Sequence, residues 1–131
     1  MQTKHFDITT FALVALALLW TPPGGAAKHP ESYYQAQWCN ARNGKIELAM
    51  PDGTRADCVT PTHAIEVDFG RKWAEAIGQS LSYALQTGKR PGIVLILEKP
   101  KHHKYWLRLH RVISGAHLRI DVWCIGAGCP Q

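Results

Sequence analysis

Three acidic side chains, Asp57, Glu66 and Asp68, fall within the stretch Arg55 to Tyr83, RADCVTPTHAIEVDFGRKWAEAIGQSLSY. Lys72, Gln79 and Tyr83 follow in the same stretch. Gathered together, these side chains suit one chemistry. Carboxylates hold Mg²⁺ with water and substrate phosphate as its other ligands. A cation held in that way activates water and relieves charge on a phosphodiester. Asp57 and Glu66 are the candidate ligands, and Asp68 an assisting acid. Lys72 would stabilise phosphate charge or poise the water. Gln79 would orient the nucleophile, and Tyr83 would contact nucleic acid.

For the acids to meet, two strands must pair around a short turn. Arg55 to Thr60 and His63 to Phe69 read as those strands, with Pro61-Thr62 between them. A two-residue loop puts Asp57 opposite Glu66 and Arg55 opposite Asp68, and directly opposed residues share a face. Alternation then sends Ile65, Val67 and Phe69 to the other face. A one-residue slip would separate Asp57 from Glu66. Gly70 ends the strand, and Arg71 to Thr87 reads as the strongest helix, with Trp73, Ala76, Ile77, Ser80, Leu81, Ala84 and Leu85 as its apolar stripe. Gly88 stops it. Lys72, Gln79 and Tyr83 lie on a second stripe of the same helix.

The remaining elements frame this unit. Glu31 to about Arg42 reads as a helix, with Pro30 suited to its first position and Asn43-Gly44 as its stop. Lys45 to Met50 alternates as a strand, and Pro51-Asp52-Gly53-Thr54 is a turn in which Asp52 is a turn residue. Ile93 to Leu97 is a short apolar run, expected to be a strand buried on both faces. Lys99 to Arg111 reads as a basic helix, and Leu118 to Cys124 alternates as a last strand. A helix between the third and fourth strands allows a parallel crossover.

The 131-residue chain begins with Lys4, the apolar run Phe11 to Trp20 and a Pro-Gly turn before Ala26-Ala27. That order is expected of a signal peptide over residues 1–27, followed by a single α/β domain over 28–131. The run is about half the roughly 20 residues that a membrane span needs. Its removal takes one lysine and one aspartate, so the charge stays at +5, and a basic exported domain is drawn to polyanions. The expected location is periplasmic or secreted. Cys39, Cys58, Cys124 and Cys129 suggest disulfides in an oxidising compartment. Of the three pairings, Cys124–Cys129 with Cys39–Cys58 is favoured. No C-x-x-C or H-x-x-x-H pair supports zinc instead.

The element order is α-β-β-β-α-β, then a helix and a strand. With Asp57, Glu66 and the literal Q-x-x-x-Y of Gln79 to Tyr83, it resembles the PD-(D/E)XK nucleases of restriction-endonuclease-like fold, in their RecB-like branch. The resemblance covers roughly Glu31 to Leu97. It implies a compact core with a mixed sheet, Mg²⁺ or Mn²⁺ held by Asp57 and Glu66, a metal-associated Glu31, and DNA as substrate. Asp68 departs from the pattern, standing where the family carries lysine. Lys72 on the next helix is the candidate replacement, and a site that only binds is the alternative.

Blander readings stand beside these. The acids could be solvated strand residues, with Arg55–Asp68 a weak surface pair. Lys101, Lys104, Arg108 and Arg111 form either a solvated face or a phosphate-tracking surface with Tyr105 or Trp106 offered to bases. His102, His103, His110 and His117 read as surface or polyanion contacts, while His63, near Glu66, is the one histidine to watch. Three functions follow: a metal-dependent deoxyribonuclease, an inactive nucleic-acid- or polyanion-binding module of the same fold, or a disulfide-stapled envelope interaction protein.

Overall fold

Tyr34 and Trp38, one helical turn apart, turn inward from α1, Glu31–Asn40. The computed structural model describes residues 27–131, so the expected leader lies outside the described residues except for Ala27. Pro30 stands at the helix cap with extended backbone, not in the first turn as the sequence suggests. Asn43 takes the left-handed backbone, φ 53°, beyond the helix end. Gly44 is small for a different reason. A Cβ there would collide with both sulfurs of the Cys39–Cys58 disulfide. Gly44→Ala should therefore lower stability by about 1–3 kcal/mol, seen as a lower urea midpoint at unchanged slope.

Three strands follow, β1 at Lys45–Ala49, β2 at Arg55–Val59 and β3 at His63–Phe69. A 3₁₀ turn over Gly70–Lys72 leads into α2, Trp73–Thr87, so the helix proper starts two residues later than its sequence suggests. Gly88 at φ 66° ends it. Then come β4, Arg90–Ile96, a 3₁₀ turn over Pro100–His102, α3, His103–Gly115, and β5, Asp121–Ile125. The strands form one open sheet in the order β1-β2-β3-β4-β5. The first three are antiparallel; β3, β4 and β5 run parallel. This is a mixed α/β architecture.

Strand β4 anchors both layers, as its unbroken apolar run requires. Val94 and Ile96 pack with Ile65, Val67 and the α1 residues Tyr34 and Trp38. Ile93, Leu95 and Leu97 pack on the other side with Ala76 of α2 and Leu109 of α3. Each such side chain, fully buried, contributes about 1.5–3 kcal/mol. Leu118 and Ile120 join that second cluster although β5 itself starts only at Asp121. Cys39–Cys58 ties α1 to β2, and Cys124–Cys129 closes the tail. No free cysteine remains among the described residues.

The β2–β3 register is the one that a two-residue loop dictates, with Cys58 opposite Ile65 and Val59 opposite Ala64. The ladder ends there, immediately before Asp57. The Val67 N–H donates to the Asp57 carboxylate at 2.7 Å instead of to a strand carbonyl. The β1–β2 ladder is also interrupted at this level, between Ile46↔Cys58 and Leu48↔Ala56. Glu47, at the gap, has φ 54°. The regular alternation expected from Lys45 to Met50 fails here, leaving Ile46 exposed while Met50 is buried. Asp52 is a turn residue, as expected, accepting from the Thr54 N–H at 3.0 Å and the Thr54 hydroxyl at 2.6 Å.

Candidate active site

The break in the sheet aims Asp57 towards β3. Its carboxylate lies within hydrogen-bonding reach of Glu66, beside Asp68. Glu31, in the first turn of α1, reaches Asp68 from the next layer. The fold thus gathers acids from α1, β2 and β3. Lys72, in the 3₁₀ turn before α2, sets its Nζ 3.4 Å from Asp68 Oδ1. Arg55, expected opposite Asp68, instead pairs with Ala49 of β1, because β2 and β3 have parted by that point.

Burial and mutual repulsion set the protonation of the cluster. Glu66 is 4% exposed. Desolvation, then the charges of Asp57 and Asp68, push its carboxyl up to about 9. Asp57 is raised to about 6, first by burial, against the opposing hydrogen bonds from the Val67 N–H and Glu66. Glu31 is raised to about 7 by burial and by its hydrogen bond to Asp68. Glu66 therefore keeps its proton at neutral pH, beside Asp57. Lys72 is shifted upwards as well, first by the Asp68 charge, and so stays protonated.

The Q-x-x-x-Y residues divide. Tyr83 is 5% exposed, and its hydroxyl lies near Gln79 and Glu66. Its expected contact with nucleic acid is corrected by that burial: Tyr83 belongs to the inner wall of the acid cluster. Burial and the charges of Glu66 and Asp57 raise its hydroxyl to about 12. Gln79 is exposed and joins the cluster only through Tyr83.

His63 does not join the site. It sits at the opposite end of β3, three residues or about 10 Å of strand before Glu66. There its Nε2 lies 2.7 Å from Asp121 Oδ2, and Arg90 reaches the same oxygen at 2.6 Å. His110 is no free surface contact: its ring lies tilted against Trp106, centroids 4.2 Å apart, and burial lowers its pKa. His103 lies 3.0 Å from the Gly128 carbonyl. Tyr105 and Trp106, expected to be offered to bases, pack partly buried in the α2–α3 layer. Lys101, Lys104, Arg108 and Arg111 are all exposed along the 3₁₀ turn and α3. A cleft of about 200 Å³ opens at the C-terminal ends of β3 and β4, lined in part by Phe69, Arg71, Lys99, Lys101 and Tyr105.

Two residues of the site escape the sequence reading. Gln35 is 4% exposed. Its Nε2 donates to the Asp57 carbonyl at 2.7 Å and to Glu47 Oε1 at 2.8 Å, filling the gap in the sheet. Glu47 faces Asp57 across the interrupted ladder, and its charge contributes to raising Asp57. Gln35 was legible in principle, being four residues after Glu31 and so on its face of the helix. Glu47 carries no such signal, since it fits the strand alternation. Gln35→Ala should cost about 1–3 kcal/mol in denaturant unfolding, because it leaves a buried carbonyl without its donor.

Among the described residues, no three His, Cys, Asp or Glu side chains are already drawn together as a cation shell. The donor set nevertheless fits a hard cation, being all oxygen and mostly carboxylate. Glu66 Oε2 is buried without any hydrogen-bond partner, and a ligated cation would satisfy it. No family model, curated protein or solved structure matches the chain. Its two disulfides are compatible with an exported protein, and no helix among the described residues is long and apolar enough to cross a membrane.

Proposed function

We propose that the chain is an exported nuclease of the PD-(D/E)XK kind, hydrolysing DNA phosphodiesters with Mg²⁺ or Mn²⁺. The observation that carries this reading is the gathering of Glu31, Asp57, Glu66 and Asp68 beside a buried Glu66 oxygen that has no hydrogen-bond partner. Asp57 and Glu66 would hold the cation, with Glu31 at the outer side. The cation would supply Lewis acidity and an activated water.

The chain's own groups have distinct roles in this scheme. Lys72 is held protonated by Asp68, so it acts as a positive charge on the phosphate and not as a base. Asp68 positions that ammonium. Tyr83, neutral and buried, fixes the Glu66 carboxyl, and Gln79 at the surface orients the substrate backbone or water. Arg71, Lys99 and Lys101 beside Phe69 offer a track for neighbouring phosphates, and α3 extends it. Lys72→Met should lower cleavage by about a hundredfold or more with little change in DNA retention.

The direct test is incubation of purified protein with linear and circular DNA. Degradation with Mg²⁺ or Mn²⁺ that EDTA silences supports the reading. The exposed cations of α3 favour a second reading, a module that binds polyanions without cutting them. It predicts salt-sensitive retention of DNA with no cleavage under any metal, weakened by charge reversal at Lys104 and Arg108 and unaffected by Asp57→Asn.

A further inference from the structure

Glu98 follows β4 by two residues and accepts three hydrogen bonds on one oxygen, Oε1. The Lys28 N–H lies at 2.8 Å, the Tyr34 hydroxyl at 2.6 Å and the His29 N–H at 3.4 Å. The two backbone donors come from some 70 residues earlier in the chain. His29 is fixed there by stacking on Tyr33 at 4.0 Å. Among the described residues no lysine or arginine side chain forms a salt bridge with Glu98. The Glu98 carboxylate thus faces the backbone nitrogens of Lys28 and His29 and the Tyr34 hydroxyl, with Lys28 the nearer of the two backbone donors. The Lys28 nitrogen follows Ala27, in the small-residue pattern Gly25-Ala26-Ala27 that suits leader cleavage. Ala27 and Lys28 are both exposed.

We propose that Glu98 is the receptor for the amino terminus of the processed chain, which begins at Lys28. A leader-removing peptidase of the export machinery adds water across the Ala27–Lys28 amide. The carboxyl group stays on Ala27, and the freed amine of Lys28 takes a proton. An amide hydrogen bond to Glu98 then becomes an ammonium–carboxylate pair, and such pairs are stronger than neutral ones. Hydrogen bonds from Tyr34 and the two backbone nitrogens already hold the Glu98 carboxyl below its usual value, against the opposing effect of burial, so its charge is in place beforehand. The seat lies three residues before Glu31, so docking the terminus fixes the end of α1 that carries that carboxylate. The inference is independent of the nuclease reading.

The experiment expresses the full chain with its leader and sequences the amino terminus of the exported product. A start at Lys28 is expected; any other start overturns the proposal. Melting temperatures are then compared with those of a variant whose processed form carries one extra residue before Lys28. That residue moves the ammonium by about 3.5 Å. The expected result is a melting point a few degrees lower for the extended chain at low salt, with the difference erased by Glu98→Gln. Equal melting points in the Glu98 background overturn the proposal without reference to the glutamine variant. A difference that persists undiminished in Glu98→Gln also overturns it.

Discussion

Glu66→Gln should abolish the proposed metal-dependent cleavage of DNA and leave the chain folded. The expected loss is about a thousandfold or more, equivalent to about 4 kcal/mol of barrier. Glutamine keeps the size of the side chain but cannot serve as an anionic ligand. The fold tolerates it because Glu66 already keeps its proton at neutral pH, with its carboxyl pushed up to about 9 by burial and by Asp57 and Asp68. The variant should therefore melt at the parental temperature or above it at pH 8, where the parent must take up a proton at Glu66 on folding. Asp57→Asn should lose activity to a similar degree and still offer an oxygen to the Val67 N–H. A glutamine variant that cleaves like its parent removes the acid cluster from the mechanism.

Metal-free protein loses stability as pH rises, the reverse of an ordinary salt-bridged protein. Asp57, Glu31 and Glu66 are raised from ordinary values of 3.8, 4.5 and 4.5 to about 6, 7 and 9. Between those values the folded chain holds protons that the unfolded chain has released. Their stabilising effect is complete below about pH 4 and disappears progressively towards pH 9. Glu98 and Asp52 are shifted downwards, so their contribution is already complete by the mildly acidic range and does not mask the trend. The fall should amount to a few kcal/mol, or about ten degrees of melting temperature for a domain of this size. A divalent cation must displace the same protons. Millimolar Mg²⁺ should accordingly raise the melting point at pH 8 to 9 and leave it unchanged at pH 5. A metal-free melting point that rises from pH 5 to pH 9 contradicts this account of the cluster.

The sheet was legible in the sequence where a local rule decided the outcome. The Pro61-Thr62 turn set the β2–β3 register, the unbroken run at Ile93 to Leu97 marked a strand buried on both faces, and Gly88 stopped α2. Both favoured disulfides are formed. The site was legible only in outline. Alternation brings Asp57 and Glu66 to one face, but the approach of Asp57 to Val67 depends on a break in two ladders at once. That break is supported by Gln35 from another layer and by the left-handed backbone of Glu47. Neither is encoded by periodicity along a single element. Tyr83 was misplaced for a related reason. The helical stripe shared with Lys72 and Gln79 does not reveal which of its members the sheet covers, and Tyr83 is buried against Met50, Ala56, Val59 and Ala64.

The central claim is that Glu31, Asp57, Glu66 and Asp68 form a divalent-cation site. Electron paramagnetic resonance of Mn²⁺ added at pH 8 tests it most directly, since free and bound Mn²⁺ give distinct signals. At least one bound ion per chain is expected, released at pH 5 and abolished in the Asp57→Asn/Glu66→Gln double variant. Mn²⁺ that stays free at pH 8, or binds the double variant as well as the parent, contradicts the claim.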